Sequence, residues 1–286
     1  MPIAKKLSTA KRMMATKGTV ATLRLTRDWV GRRFRHAIFG TPVTWQKFDL
    51  INELARIHGY RSLLEISTSR SGYTYGRRDQ SRFDVCRRLS YLTPNDWTDG
   101  EPVDYRCSDH DTSECLRQIR AQGLCFDIVF VDACHEYECS RRDIQDALNL
   151  VNDNGIIVLH DCLPHSQANC PPFRGNLASW WLGVTYKAYL DILIARNDLW
   201  YCTVDTDCGC GIIRSNQNTR HYKRAIDADE AYIHAWRNVG DNYDAAFQIY
   251  ERNRDALMNI VTVNRFLTAE RESRKITAPL LSSSCE

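Results

Sequence analysis

Apolar residues recur along this 286-residue chain at two spacings, one typical of amphipathic helices and the other of buried strands. A helix that ends at Gly59 is predicted by apolar positions three and four residues apart, which are Phe48, Leu50, Ile51, Leu54 and Ile57. A short apolar strand follows over residues 62–66, and longer runs predict buried strands over residues 126–132 and 156–161. Helices are predicted between them, over residues 115–122 and 141–151, with a turn at 152–155. This alternation indicates a parallel sheet with helices on both faces.

The pattern continues beyond a polar loop that follows Pro164. Residues 180–194 are predicted to be helical, residues 199–204 and 209–213 to be strands, and residues 231–267 to be helical again. We therefore predict an α/β fold with a basic N-terminal arm (1–40), a main domain (41–215), a C-terminal helical extension (216–270) and a loose tail (271–286).

Charge is concentrated at the N-terminus. Ten Lys or Arg and one acid lie between Met1 and Arg35, although the whole chain carries only +3. The arm is expected to cover the core or a second protomer of a homodimer, with peripheral contact to an anionic membrane as the alternative. A net charge this small does not predict a nucleic-acid partner. The chain has neither an apolar run of spanning length nor a secretory signal, so a cytoplasmic location is expected.

The twelve cysteines include no Cys-x-x-Cys pair, and several lie in apolar, strand-like runs. In such runs a thiol packs as a small hydrophobic group. The spacing therefore favours reduced thiols over a disulfide framework or a structural zinc site.

Three acids lie at or near the ends of predicted strands: Glu65, Asp132 and Asp161. In an open parallel sheet, ligands bind beyond the carboxyl ends of the strands. A buried strand that ends in a carboxylate needs a partner for that charge. An ion pair would supply one, but three acids at one edge favour a polar ligand or a cation.

Several segments resemble class I S-adenosylmethionine-dependent methyltransferases. Residues 63–72 resemble the first-strand motif, and residues 126–137, Asp143 and residues 155–164 resemble the Asp-x-x-His and His-Asp blocks. Residues 181–188 and 204–213 resemble segments in members associated with sugar and polysaccharide biosynthesis. The resemblance covers roughly residues 60–215. It implies a Rossmann-like, doubly wound sheet of seven strands, mostly parallel, and S-adenosylmethionine as the cofactor.

The resemblance also implies which residues bind the cofactor, namely Glu65, Ser67, Thr68, Gly72, Asp109 and Asp132. The first motif departs from the family, which usually has Gly where Ser67 stands and a later Gly one residue before Gly72. Glycines there let the backbone approach the cofactor closely. The Ser67 hydroxyl is expected to meet the cofactor's methionine carboxylate instead.

The resemblance to metal-dependent sugar O-methyltransferases extends to the reacting groups. It implies Asp132 and His135 as catalytic residues, and Asp132, Asp161 and His160 as ligands of a possible Mg²⁺. His135 would remove a proton from an acceptor hydroxyl, whose pKa the metal would lower. Cys162 stands where relatives often carry a further acid. In the competing interpretation His135 caps the next helix, Asp132 pairs with an arginine and no metal binds.

The predicted function is O-methylation of a saccharide or a glycosylated small molecule. The same fold and cofactor would also serve a non-sugar metabolite as the acceptor. A protein that retains the fold without catalysis, and acts as a binding module or scaffold, is the third hypothesis, which the altered glycine turn favours.

Overall fold

The structure is a computed structural model that describes residues 45–68, 78–91, 103–107, 112–173, 181–215, 222–224 and 230–281. All of these belong to one compact unit. The predictions for the basic arm, including its contact with a second protomer or a membrane, lie outside the described residues. The division into domains therefore stays a prediction.

A single sheet contains all the strands of the described residues. They are β1 Ser62–Thr68, β2 Val85–Tyr91, β3 Tyr105–Cys107, β4 Phe126–Asp132, β5 Val151–Leu159, β6 Trp200–Val204, β7 Cys210–Arg214, β8 Lys223–Arg224 and β9 Ile260–Val261. The order across the sheet is β3-β2-β1-β4-β5-β7-β6-β8, and β9 pairs with the other end of β6. The first five strands are mutually parallel, and β7 runs antiparallel to both β5 and β6. The predicted seven-stranded, mostly parallel sheet is confirmed, with the two-residue strands β8 and β9 as additions.

Helices cover both faces of the sheet, as predicted. They are α1 Lys47–His58, α2 Ser113–Ala121, α3 Tyr137–Leu150, α4 Thr185–Ala195, α5 Glu230–Arg237, α6 Tyr243–Met258 and α7 Val263–Leu281. The apolar sides of α2 to α6 pack on one face, and those of α1 and α7 pack on the other. Burying these apolar surfaces against the strands is the main favourable term in holding the layers together.

Several element boundaries differ from the sequence prediction, and three of these differences change the interpretation. β1 continues to Thr68, which places Glu65 inside the strand and not at its end. β5 begins at Val151, which was predicted to end a helix, and it includes residues 152–155, where a turn was expected. A register shift against β4 accommodates these residues. The long C-terminal helix is three helices: backbone of left-handed conformation at Gly240 and Asn259 separates α5, α6 and α7.

Among the described residues, no helix is both long and apolar enough to cross a membrane. The described cysteines are free thiols, and most are buried.

Candidate active site at the ends of β4 and β5

The carboxyl ends of the central parallel strands form one edge that carries the predicted site. Asp132 is the last residue of β4, and Ser67 of β1 is its register partner. Asp161 lies two residues beyond β5, and its backbone is in the left-handed region with a φ of 60°. Non-glycine residues adopt this conformation rarely and often at functional sites.

The loop before β7 holds the Asp161 segment in place. Cys162 N–H donates to the Gly209 carbonyl at 3.1 Å, and Leu163 N–H donates to the Cys208 carbonyl at 2.8 Å. Gly209 has a φ of 88°, and a Cβ there would lie 2.4 Å from the Leu163 side chain. Only glycine allows the two loops to approach so closely.

Asp132, His135 and Asp161 converge at this edge. The His135 Nε2 atom lies 3.6 Å from Asp132 Oδ1 and 3.4 Å from Asp161 Oδ2. One potential ligand atom from each residue lies within 4.8 Å of the other two, a spacing that a single metal ion could bridge. The structure therefore brings together the two predicted catalytic residues and one more acid.

His160, which the sequence analysis predicted as a metal ligand, lies beside the same carboxylates. Its Nδ1 atom is 3.2 Å from Asp132 Oδ1 and 3.1 Å from Asp161 Oδ1. Its Nε2 atom lies 3.5 Å from Asp207 Oδ2. The group that can converge on one ion contains His135 in place of His160.

Lys47, the first residue of α1, also belongs to the cluster. Its Nζ atom lies 2.6 Å from Asp132 Oδ2 and 3.4 Å from His160 Nδ1. Its backbone N–H donates to Asp207 Oδ2 at 3.1 Å. The neighbouring Thr206 hydroxyl donates to the Trp45 carbonyl at 2.9 Å, so the loop before β7 also positions the start of α1.

The orientation of His135 is set by the segment before α4. The His135 Nδ1 atom lies 3.1 Å from the Trp181 carbonyl, which can only accept, so Nδ1 carries the proton. Val184 N–H donates to the His135 carbonyl at 2.8 Å. Between them, Gly183 has a φ of 57°, and a Cβ there would lie 2.1 Å from the His135 carbonyl oxygen. Nε2 is left as the nitrogen that faces the two carboxylates.

Opposite charges shift the pKa values of the cluster. Burial alone would raise the pKa of Asp132, but Lys47 and His160 hold it well below its usual value. Burial would also lower the pKa values of Lys47 and His135, yet the surrounding carboxylates raise both. Asp132 is therefore ionised at neutral pH, and Lys47 is charged.

The β1 side of the edge contains a second buried polar group. Burial raises the pKa of Glu65 to about 8, although the Arg88 guanidinium and the Ser67 hydroxyl oppose the rise. Ser67 is fully buried, and its hydroxyl accepts from Arg88 Nε at 3.2 Å. The Glu65 Oε1 atom is buried and has no hydrogen-bond partner in the described part of the chain.

Of the other residues predicted to bind the cofactor, only some lie in the described part of the chain. Thr68 ends β1, and Gly72 and Asp109 lie outside the described residues. Lys47, Arg88 and Gly183 were not predicted from the sequence as members of the site. A charged residue in the apolar run of β2 could have drawn attention to Arg88, whereas the spacing around Lys47 and Gly183 gives no such signal.

Comparison with known protein families gives one match. Residues 88–162, about a quarter of the chain, match a family model described as a methyltransferase domain. The match runs from Arg88 in β2 to Cys162 and contains Asp132, His135 and Asp161. The prediction of a methyltransferase is therefore confirmed at the level of this domain. No curated protein matches the sequence.

Solved structures give distant similarities. A methyltransferase from Podospora anserina bound to S-adenosylhomocysteine is 17% identical, with a TM-score of 0.42 over 68% of this chain and 88% of that one. The O-methyltransferase TomG from Streptomyces achromogenes, bound to S-adenosylmethionine, is 16% identical, with a TM-score of 0.43 over 66% and 90%. An O-methyltransferase from Bacillus cereus is 14% identical, with a TM-score of 0.37 over 72% and 95%. Similarity at this level carries no information about acceptor or metal.

Proposed function

We propose that this chain is an S-adenosylmethionine-dependent O-methyltransferase that acts on a hydroxyl group of a small acceptor. The observation that carries the proposal is the convergence of Asp132, His135 and Asp161 at one strand edge, inside the segment that matches the methyltransferase domain. These groups can orient a hydroxyl, accept its proton and balance charge. Residues 126–164 form the reaction centre.

The first strand supplies a site that suits the cofactor. The unpartnered Oε1 of Glu65 needs a donor, because a buried carboxylate oxygen without one is costly. The amino group of S-adenosylmethionine is such a donor, and its positive charge would favour the ionised form of Glu65. When bound, the cofactor supplies an electrophilic methyl group on a sulfonium. Ser67 bonds to Arg88 within the protein, which favours a role for its hydroxyl in supporting Glu65 over the expected bond to the cofactor.

His135 removes the acceptor proton in the proposed reaction. Its Nδ1–H is held by the Trp181 carbonyl, which leaves the Nε2 lone pair for the acceptor. Asp132 and Asp161 lie 3.6 Å and 3.4 Å from Nε2 and stabilise the imidazolium that forms. Positioning supplies most of the remaining rate enhancement, because methyl transfer is a single in-line displacement.

The donor set also fits a divalent cation. Two carboxylates and one imidazole suit Mn²⁺ and, less well, Mg²⁺. Asp132 and Asp161 would hold the ion, which would supply a Lewis acid that lowers the pKa of an acceptor hydroxyl. The Nε2 atom of His135 cannot be both a ligand and the base. We assign Nε2 the role of the base. Its use as a third metal ligand is the second candidate, which the convergence of all three residues favours.

The proposed acceptor is a saccharide or a glycosylated small molecule. Its support is the resemblance of residues 181–188 and 204–213 to segments of sugar-associated methyltransferases. In the structure the first segment contacts His135 through Trp181 and Gly183, and the second contributes Asp207 beside His160. Both segments therefore adjoin the reacting groups.

Calorimetric titration of the full chain with S-adenosylmethionine and S-adenosylhomocysteine tests the cofactor. Binding in the micromolar range is expected, and Glu65→Gln should weaken it by about tenfold or more because the buried partner of the amino group is lost. Glu114→Gln, an exposed acid on α2, is the matched control. Absence of binding at millimolar cofactor would overturn the enzyme proposal and leave the scaffold hypothesis.

Transfer of a labelled methyl group to a panel of glycosides and catechols tests the acceptor. Methylation of glycosides is expected, and methylation of catechols alone would overturn the saccharide assignment. His135→Ala should reduce transfer at least a hundredfold while leaving cofactor affinity unchanged. Mn²⁺ affinity separates the two uses of His135, because it survives His135→Ala if the residue is the base and falls if it is a ligand.

A further inference from the structure

Lys47 occupies a position that its own helix disfavours. It is the first residue of α1, and the positive end of a helix macrodipole favours anions over cations. Only 17% of its side chain is exposed. The contacts that hold it belong to the reaction centre: Asp132 Oδ2 lies 2.6 Å from Nζ, and Asp207 accepts from its backbone N–H. The reaction centre, and not the helix, explains a lysine at this position.

The two oxygens of Asp132 serve different neighbours. Oδ2 bonds to Lys47 at 2.6 Å. Oδ1 lies 3.6 Å from His135 Nε2 and is hydrogen-bonded to His160 Nδ1 at 3.2 Å. In the described part of the chain Oδ2 is therefore engaged with an ammonium group, whereas the neighbours of Oδ1 are imidazole nitrogens, both of which also face Asp161.

The charge of the cluster also indicates that Lys47 affects the binding of a cation. Three carboxylates, those of Asp132, Asp161 and Asp207, lie around His160, and Lys47 is the one lysine or arginine bonded to them in the described part of the chain. An ammonium beside Asp132 withdraws negative charge from it and repels a second cation nearby. The low exposure of the site limits solvent screening of this repulsion.

We propose that Lys47 is a fixed cation of the reaction centre that shares Asp132 with a divalent metal ion and weakens the binding of that ion. The inference rests on the metal site of the proposed function. Lys47 holds Asp132 through Oδ2, so the metal would bind Asp132 through Oδ1, the oxygen on the side of His135. Removing the ammonium group removes its bond to Oδ2 and its repulsion of the metal.

Mn²⁺ binding to chelator-treated full-length protein, without cofactor, tests the inference. Free Mn²⁺ is measured by electron paramagnetic resonance and the heat of binding by calorimetry. Lys47→Met keeps the length of the side chain but removes its charge, and it should bind Mn²⁺ about tenfold or more tightly than the parent protein. Lys47→Arg retains the charge and should remain within about threefold of the parent.

A matched control separates this effect from the loss of any buried lysine. Lys187 is also buried, with its Nζ atom 2.7 Å from Asp191 and no bond to a carboxylate of the cluster. Lys187→Met should leave Mn²⁺ affinity unchanged. Adding Asp132→Asn to Lys47→Met should abolish the gain, because the shared carboxylate is lost.

Thermal unfolding with and without Mn²⁺ gives a second readout. Lys47→Met removes an ammonium group from a buried carboxylate, so it should lower the melting temperature, and Mn²⁺ should raise that temperature more than in the parent. Lys47→Gln can still donate to Asp132 without charge, and it serves if the methionine variant does not fold. Unchanged or weaker Mn²⁺ binding in a folded uncharged variant overturns the inference. Absence of Mn²⁺ binding in every variant also overturns it, whereas cofactor calorimetry judges the methyltransferase proposal separately.

Discussion

At the residue scale, two left-handed backbone conformations place the proposed reacting groups. Asp161, with a φ of 60°, turns back from the end of β5 toward Asp132 and His135. Gly183, with a φ of 57°, lets the chain before α4 pass against the His135 backbone. The first position tolerates a side chain at some cost in strain, and the second has no space for one.

Gly183→Ala is expected to lower both stability and activity. The new Cβ would meet the His135 carbonyl oxygen and would require φ > 0, so the segment that holds Nδ1 must shift. We expect a destabilisation of roughly 2–4 kcal/mol and a loss of methyl transfer of about a hundredfold. Urea unfolding and the turnover rate measure the two effects.

Gly123→Ala is the control for Gly183→Ala. Gly123 has a φ of 65°, but nothing lies within 4 Å of a Cβ built there. This variant should show only the cost of the left-handed conformation, about 1 kcal/mol, and unchanged turnover. Equal effects of the two substitutions would contradict a positioning role for Gly183.

At the scale of elements, a buried ion pair ties β7 to α7 on the face opposite α3 and α4. Arg214 donates to Glu270 Oε2 at 2.7 Å, to Tyr222 at 3.0 Å and to Tyr60 at 2.9 Å. The two charged side chains are at most 2% exposed. Because β7 begins just after the loop that holds Asp161, this pair fixes the strand from which the loop extends.

Arg214→Met is expected to destabilise the protein by roughly 3–5 kcal/mol, because it leaves the Glu270 carboxylate buried without its main cation. Urea unfolding measures the change. The double variant Arg214→Met/Glu270→Met should lose less, since no unpaired charge remains. Arg61→Met breaks an exposed pair with Asp84 and should change stability little. If Arg214→Met destabilises the protein as little as Arg61→Met does, the buried pair contributes no more to stability than a surface pair.

At the scale of the whole molecule, the two layers of helices position different side chains. The α3–α4 side presents His135 through the Trp181–Val184 segment, whereas the α1–α7 side carries Lys47 at one end of α1 and His58 at the other. His58 Nε2 lies 2.6 Å from Glu270 Oε2, which connects α1 to α7. Packing on one face thus sets the position of a group at the reaction centre.

The stability of the whole fold should depend on the protonation of His58. Burial lowers its pKa below the usual 6.5, assisted by Arg214 and opposed by Glu270. Below pH 6.5 the unfolded chain therefore binds a proton at His58 that the folded chain resists, and stability should fall as the pH decreases through about 6.5.

Urea unfolding of the parent and of His58→Gln, at neutral and mildly acidic pH, measures the His58 contribution. The raised pKa values of His135 and His160 act with the opposite sign, because they favour the folded state at low pH. The difference between the two proteins isolates His58, and the variant should lose less stability on acidification. Parallel pH profiles would contradict the assignment.

Much of the fold follows from local spacing, and so does part of the site. β4 has the predicted bounds, and α1 begins and ends within a residue of its apolar pattern. The acid that ends β4 lies within reach of His135 and Asp161 in the proposed reaction centre. Periodicity and terminal acids are properties of neighbouring residues, so a sequence displays them directly. The spacing of three positions between Asp132 and His135 is likewise visible in the sequence alone.

The rest was decided by contacts between distant residues. Lys47 and Asp132 are 85 positions apart, and Asp207 reaches the start of α1 across 160 positions. No local pattern encodes such pairs, because they depend on which strands lie together and which loops cross the edge. The sequence by itself determined an α/β sheet with a carboxylate-and-imidazole centre, whereas the tertiary structure placed the ammonium group of Lys47 within that centre. The reason is physical: helices and strands form from short-range periodicity, but a reaction centre is assembled where the packing of whole elements brings their ends together.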